Sequence, residues 1–575
     1  MTYSIFHSTR ALQTYLEVLA VLALLVAWIR PRAGRRLFAH AESRFRRFSA
    51  NRAHAIAAAA FFPMLVRLLL LPVFPVPQPR VHDEFSYLLL GDTLAHGRVA
   101  NPTPPYWRHF ETEYELVTPA YASQYEPGQG LALALGKLVL GNAWWGVWLS
   151  VGLMSAALCW ALGFVVPLRW AFFGSLLAAL QFGVFGFWMN SYFGGAVPAI
   201  GGALVFGSLL RRQTISSGAI AAAGVVIVLA SRPAEGLIWL CVTVGTMGSR
   251  QGSRKAFPAL MVLLSAGLCG LGWYNAQITG SAFKSPYALY RQDYGTPQSY
   301  WWQPPVVVTH FDHPELAANY QDQLRYWQRR SSPRALWEST WHRLRDFWRF
   351  FIGPFLTPAI LFVPFALRRR RLRPWLLVSG LFILDHATYH AWYPQQSASE
   401  TILIVWLTLE GWRQLRVWRP RIGVGLAMSR NLTAGFATAF ALLIIGLAAL
   451  PVLPNSWTGF RRIWDTMSVP PNRRESAIAR LERMPGKHLV FVRYSADHHW
   501  YDEWVFNGAD IPGSRVLFAR MCTPESDRAL ADSMSDRDVW IASPDEDPVI
   551  ARATPDQLLL ARNAALREAL KPAAP

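Results

Sequence analysis

Apolar runs long enough to cross a lipid bilayer recur along this chain of 575 residues. A bilayer-spanning helix needs about 20 predominantly apolar residues. The chain is 52% hydrophobic, only 16% charged, and carries 26 Trp, a residue enriched at lipid–water boundaries. The pattern predicts a polytopic α-helical membrane protein with about 12 transmembrane helices. The predicted spans lie near 11–29, 53–75, 143–166, 170–190, 193–210, 217–231, 235–248, 257–278, 350–367, 374–390, 400–414 and 432–453.

The basic residues support this number of spans. The formal net charge is +20, and the arginines cluster in short loops between the apolar runs instead of along one continuous face. With 12 spans, every such cluster falls on one side, which the positive-inside rule makes cytoplasmic. Both termini are then expected to face outward, and the first run is expected to be a spanning helix and not a cleaved signal peptide. The clusters lie at 30–52, 211–212, 250–255, 368–373 and 413–421.

Composition divides the chain into three parts. Residues 1–52 hold an extra N-terminal transmembrane helix and a basic cytoplasmic loop, and 53–454 form the main transmembrane domain. Two large external loops, 76–142 and 279–349, interrupt that domain. Residues 455–575 are expected to form an extracytoplasmic α/β domain, because their apolar residues alternate as in soluble strands and helices. Its predicted helices are 472–484, 525–534 and 555–570, and its predicted strands are 489–494, 515–519 and 539–542.

The first external loop carries most of the chemistry. A short helix is expected to begin at His82-Asp83-Glu84 and to close at Gly97. An acidic residue in that position is ordinarily a helix cap, with Asp83 at or near the N-cap. The alternative interpretation is a carboxylate held at the outer membrane face as a general base. The two roles are compatible.

Further patterns follow in chain order on the same side of the membrane. They are Asp83-Glu84-x-x-Tyr87 after a span, Glu126-Pro127 before an apolar run, Ser231-Arg232-Pro233 between two runs, and Trp273-Tyr274-Asn275 with Gly280 and Pro286-Tyr287 at the end of a span. Together this set resembles the GT-C membrane glycosyltransferases. It is most similar to the protein O-mannosyltransferase and aminoarabinose-transferase branch, families 39 and 83. The chain departs from that group in its extra first span, its C-terminal domain, and Glu126-Pro127 where two prolines are usual.

The resemblance implies an inverting glycosyltransferase that moves a hexosyl or pentosyl group from a polyprenyl-phosphate donor to an acceptor at the outer face. Its expected partners are that lipid-linked sugar, membrane lipid, and a glycan, lipid or protein acceptor, with no nucleic acid. The catalytic candidates are Asp83, as general base, and Glu84. The candidates for the donor phosphate are Arg232, Lys284 and Arg291. The substrate-pocket candidates are Tyr87, Tyr125, Glu126, Gln129, Tyr274, Tyr287 and His390.

No cofactor is predicted, although two histidine groups leave a divalent metal open. His386 and His390 are four residues apart on one predicted helix face, with Asp385 adjacent. His498 and His499 follow a predicted strand, near acidic residues. Two ligands do not make a site, so interface or pocket histidines are the competing interpretation. The four cysteines show no pairing pattern.

Two other functions fit a chain with this many spans. One is a transporter or lipid flippase, and the other is a membrane-anchored scaffold that displays the C-terminal domain. Against the transporter, the two halves show no internal repeat and the charges concentrate in loops. The composition favours a bacterial inner membrane, with the active site and the C-terminal domain facing the periplasm.

Overall fold

A computed structural model describes residues 9–295, 300, 302–330, 333–389, 392–420, 422–449, 473–547 and 549–553. The described chain is mainly helical up to residue 449 and mixed α/β from residue 473. The predicted helix at 555–570 lies outside the described residues.

A helix lies in each of the predicted spans. In chain order the helices up to residue 449 are α1 (Thr9–Ile29), α2 (Arg35–Phe48), α3 (Arg52–Leu69), α4 (His82–Ala95), α5 (Pro127–Leu140), α6 (Trp144–Leu162), α7 (Leu168–Ala178, continued by a π-turn Ala179–Val184), α8 (Ala196–Leu210), α9 (Ile215–Leu229), α10 (Pro233–Ser249), α11 (Ala256–Thr279), α12 (Pro286–Tyr294), α13 (Pro314–Arg330), α14 (Pro333–Phe347), α15 (Gly353–Ile360), α16 (Val363–Ala366), α17 (Arg373–Thr388), α18 (Thr401–Val417) and α19 (Val424–Ala449).

Four stretches among the described residues are helical, long and apolar enough to cross a bilayer: Arg52–Leu69, Trp144–Leu162, Ala256–Thr279 and Val424–Gly446. Others, such as α8 and α9, are apolar but shorter. The span expected at 350–367 is broken into a π-turn at Trp348–Ile352 followed by α15 and α16. Gly353 has a positive φ of 62°, and prolines remove backbone donors there, so a continuous helix does not form.

The helical core is built around large side chains buried between helices. Trp188, Trp239 and Trp412 are fully buried and belong to one apolar cluster. Arg67 at the end of α3 is buried as well, and its guanidinium donates to the carbonyls of Phe74 (2.6 Å) and Pro75 (2.8 Å). A buried cation is tolerated when its donors are satisfied in this way. Arg67 therefore fixes the turn from which the acidic loop starts.

Two helices, α4 and α5, organise the first external loop. They pack through glycines: a Cβ on Gly130 would lie 2.3 Å from Cγ of Leu90, and one on Gly91 would lie 2.7 Å from Cβ of Leu133. A short antiparallel pair, β1 (Glu115–Leu116) with β2 (Ala122–Ser123), closes the segment between them. The sequence indicated α4 and its end at Gly97, which has a φ of 70°, but not that α5 is a helix of its own.

The C-terminal part is a small α/β unit. It comprises α20 (Arg473–Glu482), β3 (Lys487–Val492), β4 (Val516–Arg520), α21 (Pro524–Ser533), β5 (Arg537–Ala542) and β6 (Ile550–Arg552). The sheet order is β4-β3-β5-β6, with β3 parallel to both β4 and β5, as the strand–helix–strand order predicts. The antiparallel edge strand β6 was not predicted. This unit packs on the first external loop: the Tyr121 hydroxyl donates to the carbonyl of Asn507 at 3.0 Å.

Candidate active site

Asp83 lies at the second position of α4, and its carboxylate is held by an aromatic hydroxyl. The hydroxyl of Tyr125 donates a 2.5 Å hydrogen bond to Oδ1 of Asp83. The ring of Tyr125 stacks on the ring of Tyr87, which lies one turn after Asp83 in the same helix. The ring centroids are 4.3 Å apart and the planes are inclined by 10°. Asp83 remains partly exposed. The carboxylate is therefore oriented by protein and still open to a ligand.

Asp83 lies near the N-cap of α4, in the first turn, but it is not the capping residue. The N-cap residue is Val81, and the reciprocal capping contact comes from Glu84, whose Oε2 accepts from the backbone N–H groups of Arg80 (2.9 Å) and Val81 (3.3 Å). Its Oε1 accepts from the N–H of Tyr192 at 3.1 Å. Glu84 is only 4% exposed. Both of its oxygens are engaged with backbone, so Glu84 holds the loop and Asp83 presents the available carboxylate.

Burial changes the acidity of these groups. It raises the pKa of Asp83 above its ordinary value, against the opposing effects of the Tyr125 hydrogen bond and the Arg232 charge. Burial likewise raises the pKa of Glu84 to about 7 and that of Glu126 to about 7. Removing water disfavours a charged carboxylate, which makes it a better proton acceptor once ionised.

Arg232 approaches Asp83 and Glu126 from the turn between α9 and α10. Its charge opposes the rise in the pKa of both carboxyl groups. Within the described residues the Arg232 guanidinium makes no hydrogen bond or ion pair, and the residue is partly exposed. The site therefore contains a cation whose donors are available to a ligand.

Gly128, the second residue of α5, allows the turn between α9 and α10 to pack closely against the start of α5. The N–H of Gly128 donates to the carbonyl of Ala230 at 2.6 Å. A Cβ on Gly128 would lie 2.3 Å from Oγ of Ser231 and 2.7 Å from that carbonyl oxygen. Only a residue without a side chain allows the start of α5, next to Glu126, to lie against the Ser231-Arg232 turn.

The predicted tyrosines lie around the same acids. The Tyr274 hydroxyl donates to the carbonyl of Tyr125 at 2.7 Å. Burial raises the pKa of Tyr287, and the charges of Glu126 and Asp83 add to the rise. Burial also raises the pKa of Tyr87, with Arg232 opposing and Glu126 adding to it. Tyr87 and Tyr274 are buried, whereas Tyr287 is partly exposed, so Tyr287 is the one of these three whose side chain is accessible to a ligand.

The side chains of the remaining candidates, Gln129, Arg291 and Lys284, are hydrogen-bonded to other protein groups. Gln129 is buried and donates to the carbonyl of Tyr192 at 2.9 Å, which fastens the loop before α8. Arg291 lies near Tyr287, and its guanidinium donates to Oε1 of Gln303 at 3.1 Å. Nζ of Lys284 donates to Oε1 of Gln292 at 2.6 Å, on α12. Of the three candidate cations, Arg232 is the one whose charge acts on Asp83.

The histidine groups considered for metal have carboxylate partners. Nε2 of His386 lies 2.9 Å from Oε1 of Glu400, and its Nδ1 lies 3.5 Å from Oδ2 of Asp385. His390 lies outside the described residues. In the C-terminal unit, Nδ1 of His498 lies 2.9 Å from Oδ1 of Asp545. The His386–Glu400 and His498–Asp545 contacts are hydrogen-bonded pairs.

The C-terminal unit contributes to the site, which the sequence did not indicate. Nε2 of His82 contacts the carbonyl of Tyr501 at 3.0 Å, and Phe85 stacks on Phe506 with centroids 4.1 Å apart. Burial raises the pKa of Tyr501, and the neighbouring Asp83 carboxylate adds to the rise. The unit therefore covers the start of α4. Because the two segments are more than 400 residues apart in sequence, no local pattern could indicate this contact.

Comparison with known proteins finds no matching protein-family model and no matching curated protein sequence. Similar solved structures are found. The arabinofuranosyltransferase AftD from Mycobacteria is 15% identical, with a TM-score of 0.42 over 88% of this chain and 36% of that chain. ArnT from Cupriavidus metallidurans, bound to undecaprenyl phosphate, is 12% identical, with a TM-score of 0.45 over 85% and 92%.

The oligosaccharyltransferase from Archaeoglobus fulgidus tethered with an acceptor peptide is 12% identical, with a TM-score of 0.40 over 84% of this chain and 69% of that chain. This chain thus spans little more than a third of the length of AftD. These neighbours are GT-C glycosyltransferases, the group that the sequence motifs resemble.

Proposed function

We propose that this chain is an integral-membrane glycosyltransferase that moves a sugar from a polyprenyl-phosphate donor to an acceptor hydroxyl, with inversion at the anomeric carbon. The observation that carries the proposal is the pairing of an oriented, partly exposed carboxylate, Asp83, with the Arg232 guanidinium, which has no hydrogen-bond or ion-pair partner in the part of the chain that the structure describes. A transfer of this kind needs a proton acceptor at the nucleophile and a cation at the leaving group.

Asp83 serves as the general base. The acceptor oxygen attacks the anomeric carbon, its proton passes to Oδ2 of Asp83, and the bond from that carbon to the phosphate oxygen breaks. The Tyr125 hydroxyl occupies Oδ1 and so leaves the other oxygen for the acceptor. Base assistance of this kind contributes about 10²–10⁴-fold to the rate.

Arg232 serves the leaving group. The departing polyprenyl phosphate gains negative charge as the glycosidic bond breaks, and a guanidinium can donate two parallel hydrogen bonds to its oxygens. Glu126 faces the same cation. A sugar held between Asp83 and Arg232 would lie near Tyr287, which is partly exposed and close to both Asp83 and Glu126.

The proposed location is a bacterial inner membrane, with the site and the C-terminal unit on the periplasmic side. The arginine clusters then occupy the cytoplasmic loops. This placement agrees with a lipid-linked sugar that is delivered at the outer face. The proposed acceptor is a glycan, a lipid or a protein.

The test is donor consumption by purified protein. Wild type and Asp83→Asn, both monodisperse in detergent, are given labelled polyprenyl-phosphate sugars with a membrane extract as the acceptor source. We expect wild type to consume one donor and the variant to be at least about 100-fold slower. Equal turnover by both would remove Asp83 as the base. If wild type consumes no donor while reconstituted vesicles translocate a lipid or solute, the transporter alternative replaces the proposal.

A second pair of variants tests the cation. Arg232→Gln is compared with Arg250→Gln, which changes the arginine at the opposite end of α10, where it donates to the carbonyl of Leu209 at 2.7 Å. We expect Arg232→Gln to lower kcat/KM for the donor by about 100-fold and to weaken product inhibition by polyprenyl phosphate. Equal effects of both variants would indicate a structural role for Arg232.

A further inference from the structure

A second group of potential ligands lies where the first external loop meets the C-terminal unit. His109, Cys522 and Asp527 each place one donor atom within 4.8 Å of the others. His109 comes from a 3-10 turn, Trp107–Phe110, whereas Cys522 follows β4 and Asp527 lies in the first turn of α21. The three residues belong to segments about 400 positions apart in sequence, and neither histidine group singled out from the sequence includes them.

The hydrogen bonds of His109 determine which ring nitrogen carries a lone pair. Nδ1 lies 3.1 Å from the carbonyl oxygen of Tyr106, and a carbonyl can only accept, so Nδ1 donates. In the neutral ring Nε2 is then an acceptor. Nε2 nevertheless lies 3.1 Å from Oδ1 of Asp527, which is also an acceptor. A proton or a metal ion between these two atoms would relieve this contact of two acceptors, and the Ser526 hydroxyl, 3.4 Å from Nε2, can also donate to that nitrogen.

The surroundings of the Asp527 carboxylate favour a metal ion over a proton at this position. Its side chain and that of His109 are 0% exposed. Oδ1 accepts from the N–H of Cys522 at 2.7 Å, whereas Oδ2 is buried without a partner among the described residues. A buried carboxylate oxygen with no partner is costly, and a bound cation would remove that cost. Hydrogen bonding of a histidine Nδ1 to a carbonyl is also the usual support of a metal-ligating Nε2.

We propose that His109, Cys522 and Asp527 bind a zinc ion that joins the external loop to the C-terminal unit. A thiolate, an imidazole and a carboxylate together suit Zn²⁺, whereas Mg²⁺ and Ca²⁺ prefer oxygen ligands alone. Cys522 is partly exposed, which leaves an entry path and a fourth position for water. Zinc binding would release the thiol proton of Cys522 to solvent.

The proposed site has a structural consequence that is independent of the glycosyltransferase proposal. The same junction also holds an apolar cluster that includes Phe110 and Phe491, and hydrogen bonds such as that from the N–H of Ala509 to Oδ2 of Asp92 at 2.8 Å. A metal ion with ligands from both sides would restrain the junction more strongly. The unit it fixes is the one that brings Tyr501 to Asp83.

The test measures metal in the full-length protein, purified in detergent with a tag that contains no histidine. Elemental analysis is expected to find one zinc ion per chain in wild type and at least about tenfold less in His109→Asn and Cys522→Ser. His498→Asn is the matched control, because it changes another histidine–aspartate pair of the same unit. The control is expected to keep its zinc.

A second measurement does not depend on the variants folding. Wild type is stripped with a chelator and reloaded with Co²⁺, which is expected to give a thiolate-to-cobalt charge-transfer band. Added Zn²⁺ is expected to slow alkylation of Cys522, as determined by peptide mapping. If stripped wild type takes up neither metal and Cys522 is alkylated at the same rate with and without Zn²⁺, the pair is an imidazolium–carboxylate ion pair and the proposal is overturned.

Discussion

The hydroxyl of Tyr125 donates a 2.5 Å hydrogen bond to Oδ1 of Asp83, joining the segment before α5 to the second residue of α4. The Tyr125 ring is held by stacking on Tyr87, and its carbonyl accepts from Tyr274. The hydroxyl is therefore positioned before any ligand arrives. A carboxylate oriented in this way needs no rearrangement when it takes a proton.

Tyr125→Phe is expected to change the acidity of Asp83 while leaving the aromatic stack in place. Loss of a hydrogen bond to a carboxylate removes stabilisation of the charged form, so the pKa of Asp83 rises further above its ordinary value. The acidic limb of the kcat pH profile should therefore move to higher pH. Measurement of that profile checks the prediction, and an unchanged acidic limb would show that Asp83 does not set it.

Glu84→Gln is expected to lower stability more than it lowers the rate of chemistry. An amide has one acceptor oxygen, so a backbone N–H of Arg80, Val81 or Tyr192 loses its partner. One unsatisfied buried group costs about 1–3 kcal/mol. Thermal unfolding in detergent measures the loss, with the exposed Glu482→Gln as control. Unchanged stability combined with lost turnover would instead assign Glu84 to catalysis.

Gly128→Ala is expected to abolish activity without unfolding the membrane helices. The added Cβ would meet Oγ of Ser231 and the carbonyl of Ala230, so the start of α5 must move away from Arg232. Gly245→Ala in α10 is the matched control, because a Cβ there meets nothing within 4 Å. Circular dichroism and donor turnover check both variants. Full activity in Gly128→Ala would show that the close approach is not required.

Glu113 is expected to make stability depend on pH. Burial, and next the charge of Glu503, raise its pKa to about 8, whereas the ordinary value is 4.5. The folded state therefore holds this proton more tightly than the unfolded state. Its contribution to stability is complete below about pH 4.5 and is lost as the pH rises through about 8.

Glu113→Gln keeps an acceptor for the Asn319 amide and removes the titration. The melting temperature of wild type should therefore fall more steeply between about pH 5 and 8 than that of Glu113→Gln. Glu482→Gln should keep the wild-type slope. Parallel slopes for wild type and Glu113→Gln would show that Glu113 is ionised throughout this range.

Much of the fold could be predicted from local sequence because its signals are local. Apolar run length indicates helices such as α6 and α11, and alternation indicates β3. The break in the run at 350–367 was not predicted, because only the positive φ of Gly353 shows it. Edge strand β6 is too short for its pattern to be recognised.

The candidate site likewise has some features that the local sequence indicates and others that depend on tertiary contacts. The sequence by itself determined that Asp83 and Arg232 lie at ends of apolar segments, because charges are costly within them. Which carboxylate is available was decided by tertiary structure: Glu84 meets the N–H of Tyr192 and Asp83 meets Tyr125. The same is true of the contact between Tyr501 and the start of α4. These contacts join segments distant in the chain, and their geometry arises only when helices, loop and C-terminal unit pack together.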